Sequence, residues 1–204
     1  MRTFVCTEDL VCFTDIRKKI LHVSRGTCRA LYYKDPSLEG RLLPFFAGER
    51  FTVGEFNIKT FPTSHDCAES VGYVISNDEG TIALATDLGY VSDEVCEAVA
   101  GADLLLLEAN HDYDRLWNGS YPLSLKRRIL SNRGHLNNED SAVLAAKAAM
   151  KGTKHIVLVH LSEENNTPQL ALEAVERQLC RCGLSVTLEA APPGGSAREY
   201  IALK

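Results

Sequence analysis

The sequence lacks a C-x-x-C cysteine pair, although it contains seven cysteines. Zinc knuckles and thiol redox centres commonly use such pairs, so neither is indicated. It also lacks a signal-peptide pattern and an apolar run of membrane-spanning length. We therefore predict a cytoplasmic protein with no membrane partner, whose thiols are buried packing residues in a reducing compartment.

An excess of positive charge is missing too, since the net charge is -5. Proteins that coat nucleic acid along its backbone usually carry surplus Lys and Arg, so this class is disfavoured. An acidic site that holds divalent cations can still bind a polyanion locally. Local action on nucleic acid therefore stays open.

No stretch of linker composition divides the 204 residues, of which 45% are hydrophobic and 24% charged. These values are ordinary for a soluble globular protein, and the length suits one sizeable core. We predict a single domain over residues 1–204, in which residues 1–25 are an atypical segment.

Apolar periodicity and turn signals predict the order of elements. The predicted strands are 51–53, 56–61, 71–76, 81–86, 104–107, 155–160, 185–190 and 198–203. The predicted helices are 15–21, 27–33, 92–101, a basic helix containing 126–128, 141–150 and 168–180, with a loop at 34–43. Early hairpins followed by strand–helix alternation favour an α/β fold of the αββα sandwich type over a doubly wound parallel fold.

Polar residues end several of the apolar runs. They are His65 in FPTSHDC, Asp87 in TIALATD, Glu108 in DLLLLEANHD and His160 in HIVLVHLS. Buried strands whose ends carry imidazole or carboxylate groups gather those groups along one rim of a sheet, where ligands bind in α/β folds. This pattern predicts a metal or acid–base site.

Each residue also has a simpler interpretation when taken alone. His65 could be solvated, and Asp87 could cap the following turn, whereas Glu108 without a partner would be costly to desolvate. Together, His65, Asp87 and His160 supply donors that zinc or manganese accepts. Glu108 and His135, which lies in a loop before a helix, can form a carboxylate–imidazole pair for proton transfer.

Further polar residues are candidates for substrate contacts. Lys126, Arg127 and Arg128 can contact backbone phosphates, although a solvated helix face is the alternative. Ser162 and Asn165 lie in the polar loop after His160. The remaining histidines are interpreted as a loop residue, His111, and as structural residues, His22 and His155.

Several motifs resemble the metallo-β-lactamase-fold hydrolases, in particular the bacterial YycJ/WalJ-type group. They are SRGTCRAL, FPTSHD, GYVIS, ATDLGYV, ADLLLLEANHD, YPLSLKRRILSNRGHLNNEDS and HIVLVHLSEENNTPQLALE, within residues 26–204. The resemblance implies an αββα fold, a two-metal site and phosphodiester hydrolysis, with 5'-to-3' exonuclease action on DNA.

The resemblance also implies individual roles. His65 matches the third-motif histidine, Asp87 the carboxylate that bridges two metals, and His160 the final histidine ligand. Glu108 and His135 resemble the proton-transfer pair of related RNA-processing nucleases with this fold. The β-lactamase and thioesterase branches fit less well, because E-A-N-H-D and R-G-H-L-N resemble the nuclease branch.

One family motif has no counterpart in this sequence. The metal motif H-x-H-x-D-H would precede Thr27, but His22 is the only histidine before His65. We therefore expect an N-terminally incomplete fold that binds at most one metal weakly and hydrolyses poorly or not at all. The alternative is a non-catalytic remnant, for which we predict a homodimer that shields an exposed sheet edge.

Overall fold

In a computed structural model of the chain, residues 3–7, 10–15 and 20–191 are described, with side chains from residue 20 onward. The strands are β1 (Thr3–Thr7), β2 (Leu10–Asp15), β3 (Ile20–Ser24), β4 (Leu42–Phe45), β5 (Arg50–Val53), β6 (Phe56–Pro62), β7 (Val71–Asn77), β8 (Gly80–Ala85), β9 (Leu104–Glu108), β10 (His155–Val159) and β11 (Thr187–Ala190). The α-helices are α1 (Arg25–Lys34), α2 (Asp93–Val99), α3 (Tyr113–Asn118), α4 (Leu123–Ile129), α5 (Asn138–Met150) and α6 (Pro168–Arg181).

These strands form two sheets. The smaller sheet has the order β1-β2-β3-β4, and the larger has the order β11-β10-β9-β8-β7-β6-β5. Strands β5 to β8 pair antiparallel, whereas β8, β9, β10 and β11 pair parallel. Because β8, β9 and β10 run in the same direction, their carboxyl ends meet at one rim of the sheet.

The apolar sequence of β9 is explained by cover on both faces of the larger sheet. Leu105 and Leu107 belong to the main core, which includes residues of α2, α5 and α6. Leu106 points the other way and packs against a second cluster that includes Phe45 of the smaller sheet. A strand buried on both faces needs no polar alternation.

Side-chain caps fix where three core helices begin. The hydroxyl of Ser92 accepts a hydrogen bond from a backbone N–H of α2, and Thr167 does the same for α6, which starts with Pro168. Asn137 caps α5, placing this helix directly after the loop that contains His135. Such caps satisfy backbone donors that the first turn leaves free.

The α/β layering agrees with the predicted sandwich. Helices α2, α5 and α6 cover one face of the larger sheet, the smaller sheet contributes to the core on its other face, and α1 contacts β3 and β4. The predicted hairpin at 71–76 and 81–86 is confirmed as β7 and β8, which are joined by antiparallel pairing.

Three predictions near the chain ends differ from the structure. The helix predicted over 15–21 is wrong at both ends, since Asp15 ends β2 and Leu21 lies in β3; residues 16–19 are outside the described residues. The predicted loop at 34–43 contains a 3-10 turn at Pro36–Leu38 and the start of β4. The strand predicted at 198–203 also lies outside the described residues.

The predicted burial of the thiols is wrong for the five cysteines whose side chains are described. Cys180 is exposed, and Cys28, Cys67, Cys96 and Cys182 are only partly buried. All five are free thiols. Among the described residues, no helix has the length and apolar character needed to cross a bilayer.

Candidate active site

The five residues predicted for metal binding and proton transfer meet at the rim formed by β8, β9 and β10. Asp87 comes two residues after β8, Glu108 ends β9 and His160 directly follows β10. His65 lies after β6, and His135 lies between α4 and α5. The ring centroid of His135 is 4.7 Å from that of His65 and 5.1 Å from that of His160.

Glu108 is the buried centre of the site, with a fully covered side chain. Its Oε1 accepts hydrogen bonds from Nδ1 of His135 at 2.6 Å and from Nδ1 of His160 at 3.0 Å. Its Oε2 accepts the backbone N–H of Leu88 at 2.8 Å. Burial raises the pKa of Glu108, but the bonds from the two imidazoles outweigh it and lower the pKa to about 2. The carboxylate is therefore ionised at neutral pH.

The hydrogen bonds assign the proton positions on the three site histidines. An ionised carboxylate can only accept, so Nδ1 of His135 and Nδ1 of His160 carry the protons. Nδ1 of His65 lies 3.0 Å from the carbonyl oxygen of Gly134, which also can only accept. A neutral imidazole with its proton on Nδ1 carries its lone pair on Nε2. This is the arrangement in which outer partners prepare histidines to ligate a metal.

Asp87 presents a carboxylate oxygen with no hydrogen-bond partner among the described residues. This Oδ1 atom lies 3.7 Å from Nε2 of His65 and 4.0 Å from Nδ1 of both His135 and His160. Burial raises the pKa of Asp87, because only 8% of the residue is exposed. A buried, unpaired carboxylate oxygen facing imidazoles is costly without a cation.

The backbone is strained at two of these residues. Asp87 has φ 58° and His160 has φ 60°, and they are the non-glycine residues with positive φ in the described part of the chain. The left-handed conformation costs a non-glycine residue about 1–3 kcal/mol and tends to occur at functional sites. Both strained residues are among the three predicted metal ligands.

A close group of donors that could hold one divalent cation contains His135 and not the predicted ligand His160. Ligand atoms of His65, Asp87 and His135 lie within 4.8 Å of one another, and Nδ1 of His160 lies 4.0 Å from Oδ1 of Asp87. Two nitrogen donors and one oxygen donor suit zinc or manganese. Glu108, His135 and His160 form a second close group of donor atoms. Their proximity is explained by the two hydrogen bonds from the imidazoles to Glu108.

All three basic residues predicted on a helix lie in α4, and two of them make polar contacts. Arg128 forms an ion pair with Asp66, in which its Nη2 lies 3.1 Å from Oδ1. The hydrogen bond from Arg128 lowers the pKa of Asp66, whose carboxylate lies 3.4 Å from Nε2 of His65. Nζ of Lys126 donates to two backbone carbonyls. Arg127 is exposed, and the described residues include no hydrogen-bond or ion-pair partner for it.

The two loop residues predicted to contact substrate have different environments. Ser162 is partly buried, and its backbone N–H donates to the carbonyl of Asn110. Asn165 is only 2% exposed, and its backbone and side-chain N–H groups donate to the Ser162 hydroxyl. The substrate contact of Asn165 stays a prediction, and in the structure its buried side chain supports the loop.

Sequence reasoning missed the polar residues that hold the rim together. Asn138 and Asn166 exchange two amide hydrogen bonds, and Asn166 also donates to the carbonyl of Ala109. The Ser141 hydroxyl donates to the carbonyl of Glu108 at 2.6 Å. Asn138 opens a helix and Asn166 lies in a polar loop, so periodicity gives no sign of their burial. Their one sequence signal is the NNED and ENN clusters beside the site histidines.

His111 also differs from its interpretation as an ordinary loop histidine. It does lie in the loop after β9, but it is only 1% exposed. Neither ring nitrogen has a hydrogen-bond partner among the described residues. Burial lowers the pKa of His111 to about 4, so the imidazole is neutral at pH 7. The other two histidines are structural as predicted, since His22 stacks on Phe51 and His155 pairs with Glu189.

Comparison with known proteins agrees with this geometry. Residues 8–161 match the beta-lactamase superfamily domain. The chain belongs to the beta-lactamase superfamily. The resemblance predicted from the motifs and the α/β fold class are therefore both confirmed.

Within this superfamily, the chain is similar to two bacterial exodeoxyribonucleases. It is 43% identical over 142 residues to exodeoxyribonuclease YycJ of Bacillus anthracis, and 42% identical over 145 residues to exodeoxyribonuclease WalJ of Streptococcus pneumoniae D39. The matches include 70% and 71% of this chain, but 54% of each relative. The chain thus spans about half the length of these superfamily members.

A solved structure extends the likeness to the fold. Zn(2+)-bound PqqB from Methylobacterium extorquens superposes with a TM-score of 0.56 and 18% identity. The match covers 84% of this chain and 62% of PqqB. At this identity the likeness establishes a shared fold and nothing about substrate.

Proposed function

We propose that this chain carries the catalytic rim of a metal-dependent phosphodiesterase that acts on DNA as a 5'-to-3' exonuclease. The proposal depends above all on the unpaired Oδ1 of Asp87, which faces three histidines at one rim. The 42–43% identity to exodeoxyribonucleases supports DNA as the substrate. It is a proposal for this chain because the shared region is 54% of those proteins.

His65, Asp87 and His160 are the residues proposed to hold the divalent ion, zinc or manganese. A bound ion would lower the pKa of a water molecule and stabilise charge on a phosphoryl oxygen. Three protein donors plus an open position suit one such ion better than two. We therefore expect a stoichiometry near one.

His135 and Glu108 are proposed to move a proton. Glu108 stays ionised and accepts the 2.6 Å bond from Nδ1 of His135. Nε2 of His135 would then be free to protonate the leaving oxygen as a general acid. The buried carboxylate also orients the ring, since it fixes which nitrogen carries the proton at rest.

The proposed phosphate contacts are Lys126, Arg127, Arg128 and Ser162. Arg127 is the cation best suited to this task, since it is exposed and carries none of the contacts that occupy its neighbours. Arg128 would first have to leave Asp66. Binding through these residues should weaken as salt concentration rises, because phosphate contacts release counterions.

The test combines metal analysis with a nuclease assay. Metal content and Mn²⁺ or Zn²⁺ binding would be measured by mass spectrometry and calorimetry, and hydrolysis of end-labelled DNA would be followed with added Mn²⁺. Asp87→Asn and His160→Ala should lose metal binding and activity. The matched control is His155→Ala, which removes a histidine that pairs with Glu189 away from the rim.

The outcomes separate the alternatives. Metal binding near one per chain with hydrolysis that requires His160 supports the proposal. Hydrolysis that survives His160→Ala contradicts the site assignment, and two tightly held metals contradict the stoichiometry. Metal binding without hydrolysis would favour the non-catalytic alternative, and oligomeric state measured on the same sample tests the predicted homodimer.

A further inference from the structure

Arg133 is a basic residue beside the site that the proposed chemistry does not use. It lies in the loop between α4 and α5, two residues before His135, and its side chain is exposed. Its Nε and Nη2 atoms donate hydrogen bonds to the backbone carbonyl of His65 at 3.4 and 3.3 Å. The guanidinium therefore contacts a residue whose imidazole is proposed to ligate the metal ion.

The loop that carries Arg133 is fastened to the loop that carries His65. Nδ1 of His65 donates to the carbonyl of Gly134 at 3.0 Å, and the hydroxyl of Ser64 donates to the carbonyl of Asn132. Together with the bonds from Arg133, these contacts join three consecutive residues of one loop to the other loop. A side chain that is already ordered in this way loses less conformational entropy when it binds a ligand.

The charge of Arg133 is not neutralised by a neighbouring carboxylate. Among the residues with described side chains, none forms an ion pair with Arg133, whereas Arg128 is paired with Asp66. The bonds to the His65 carbonyl use the N–H of Nε and one N–H of Nη2, so Nη1 and the second N–H of Nη2 remain as donors. Donors on both Nη atoms can bind two phosphate oxygens side by side.

We propose that Arg133 binds a phosphate of the DNA strand, at or next to the linkage that is cleaved. This inference rests on the proposed nuclease function and deepens it, because it adds a residue that recognises substrate charge at the metal site. Successive phosphates of one strand follow at about 3.4 Å along the helix axis, so a strand whose reacting phosphate lies near His65 brings a phosphate within reach of Arg133. A cation placed here would also stabilise negative charge that develops on phosphoryl oxygens.

The salt dependence of binding measures this contact. A labelled DNA duplex with phosphorothioate linkages, which keep their charge but resist hydrolysis, would be titrated by fluorescence anisotropy with protein loaded with one equivalent of Zn²⁺. Arg133→Ala should weaken binding about 10-fold at low salt. It should also reduce the slope of log affinity against log salt concentration by about 0.9, the value for one lost phosphate contact. Arg133→Lys should keep the slope, because it keeps the charge, but bind with intermediate affinity, because an ammonium lacks the paired donors.

Arg181→Ala is the matched control. Arg181 is also an exposed arginine, but it is the last residue of α6, which begins after the loop that follows His160 and extends about 20 Å from there. The control removes the same charge and should leave the affinity and the slope unchanged. Calorimetry of Arg133→Ala with Zn²⁺ then separates phosphate binding from support of His65, since the affinity for Zn²⁺ should not fall.

A neutral linkage locates the contact on the DNA. A single methylphosphonate, which carries no charge, would be placed at successive linkages from the 5' end of one strand. At one linkage it should weaken binding to the wild type about 10-fold, as loss of the Arg133 contact does. Arg133→Ala should be insensitive to the neutral linkage at that same position.

Binding and hydrolysis fail independently in this design. A slope that depends on Arg133 without nuclease activity would support the phosphate contact while the proposed function fails. An unchanged slope in an active enzyme would overturn the inference and leave the function intact. No binding of the duplex would also overturn it, and so would a loss of Zn²⁺ affinity in Arg133→Ala that matches the loss of DNA affinity, because Arg133 would then only hold His65 in place.

Discussion

Replacing Glu108 with Gln tests the organisation of the site. The carboxylate accepts three hydrogen bonds in a fully buried position. A glutamine oxygen at the Oε1 position keeps both imidazole bonds but turns the NH₂ group against the N–H of Leu88, whereas an oxygen at the Oε2 position keeps the Leu88 bond and turns the NH₂ group against both imidazole N–H groups. The first arrangement leaves two buried donors facing each other, and in the second both imidazoles must change tautomer, which turns Nε2 from an acceptor into a donor. We expect metal affinity to fall about 10- to 100-fold, as for other outer partners of ligating histidines.

The same substitution has a defined effect on stability. Folding lowers the pKa of Glu108 from its ordinary 4.5 to about 2, so the ionised group stabilises the folded state at pH values above 4.5. This stabilisation is lost as the pH falls from 4.5 towards 2. At about 1.4 kcal/mol per pH unit, it amounts to about 3 kcal/mol at pH 7. Glu108→Gln cannot titrate, so it should lack this contribution at every pH.

The assay is urea unfolding of metal-free protein at several pH values between 7 and 3. The wild type should be more stable than Glu108→Gln by about 3 kcal/mol at pH 7, and the difference should shrink by about 2 kcal/mol by pH 3. Glu189→Gln is the control, because its carboxylate also contacts a histidine but is 41% exposed. A difference that stays constant with pH would refute the reasoning.

Three further substitutions have expected outcomes. Asp87→Asn should raise the urea midpoint of unfolding in EDTA, because it removes a buried carboxylate whose pKa is raised by burial. Calorimetry should show that the same variant no longer binds Zn²⁺. A lower urea midpoint would contradict the reasoning. Gly72→Ala would place a Cβ atom 2.2 Å from the Phe61 ring, so the free energy of unfolding in urea should fall by about 1–3 kcal/mol. An unchanged free energy of unfolding would mean that the ring can move. Ser141→Ala leaves the Glu108 carbonyl without its 2.6 Å donor, so unfolding should cost about 1–3 kcal/mol less, and equal stability would indicate that another donor replaces it.

The sequence was sufficient to place the residues at the rim. Asp87, Glu108 and His160 each end an apolar run, and parallel pairing of β8, β9 and β10 brings such ends together. The runs are apolar because both faces of these strands are covered. His65 and His135 lie in loops, so their proximity followed from the family resemblance and not from periodicity.

Other features depend on contacts that a linear pattern does not encode. The helix expected near Asp15 is a strand because β2 pairs with β1 and β3, and pairing partners outweigh weak local propensity. The burial of Asn165 and His111 depends on how the loops after β9 and β10 pack together. Nδ1 of His135 lies near the carboxylates of both Glu108 and Asp87. This placement depends on the orientation of the ring, which the sequence does not determine.

The left-handed backbone at Asp87 and His160 has an evolutionary consequence. Glycine would adopt both conformations without strain, so selection for stability alone would favour glycine at these positions. A carboxylate and an imidazole at these positions cost the folded chain stability that glycine would not, and their proposed role as metal donors accounts for that cost. In lineages that no longer need the chemistry, these two positions should drift to glycine or asparagine earlier than the surrounding core.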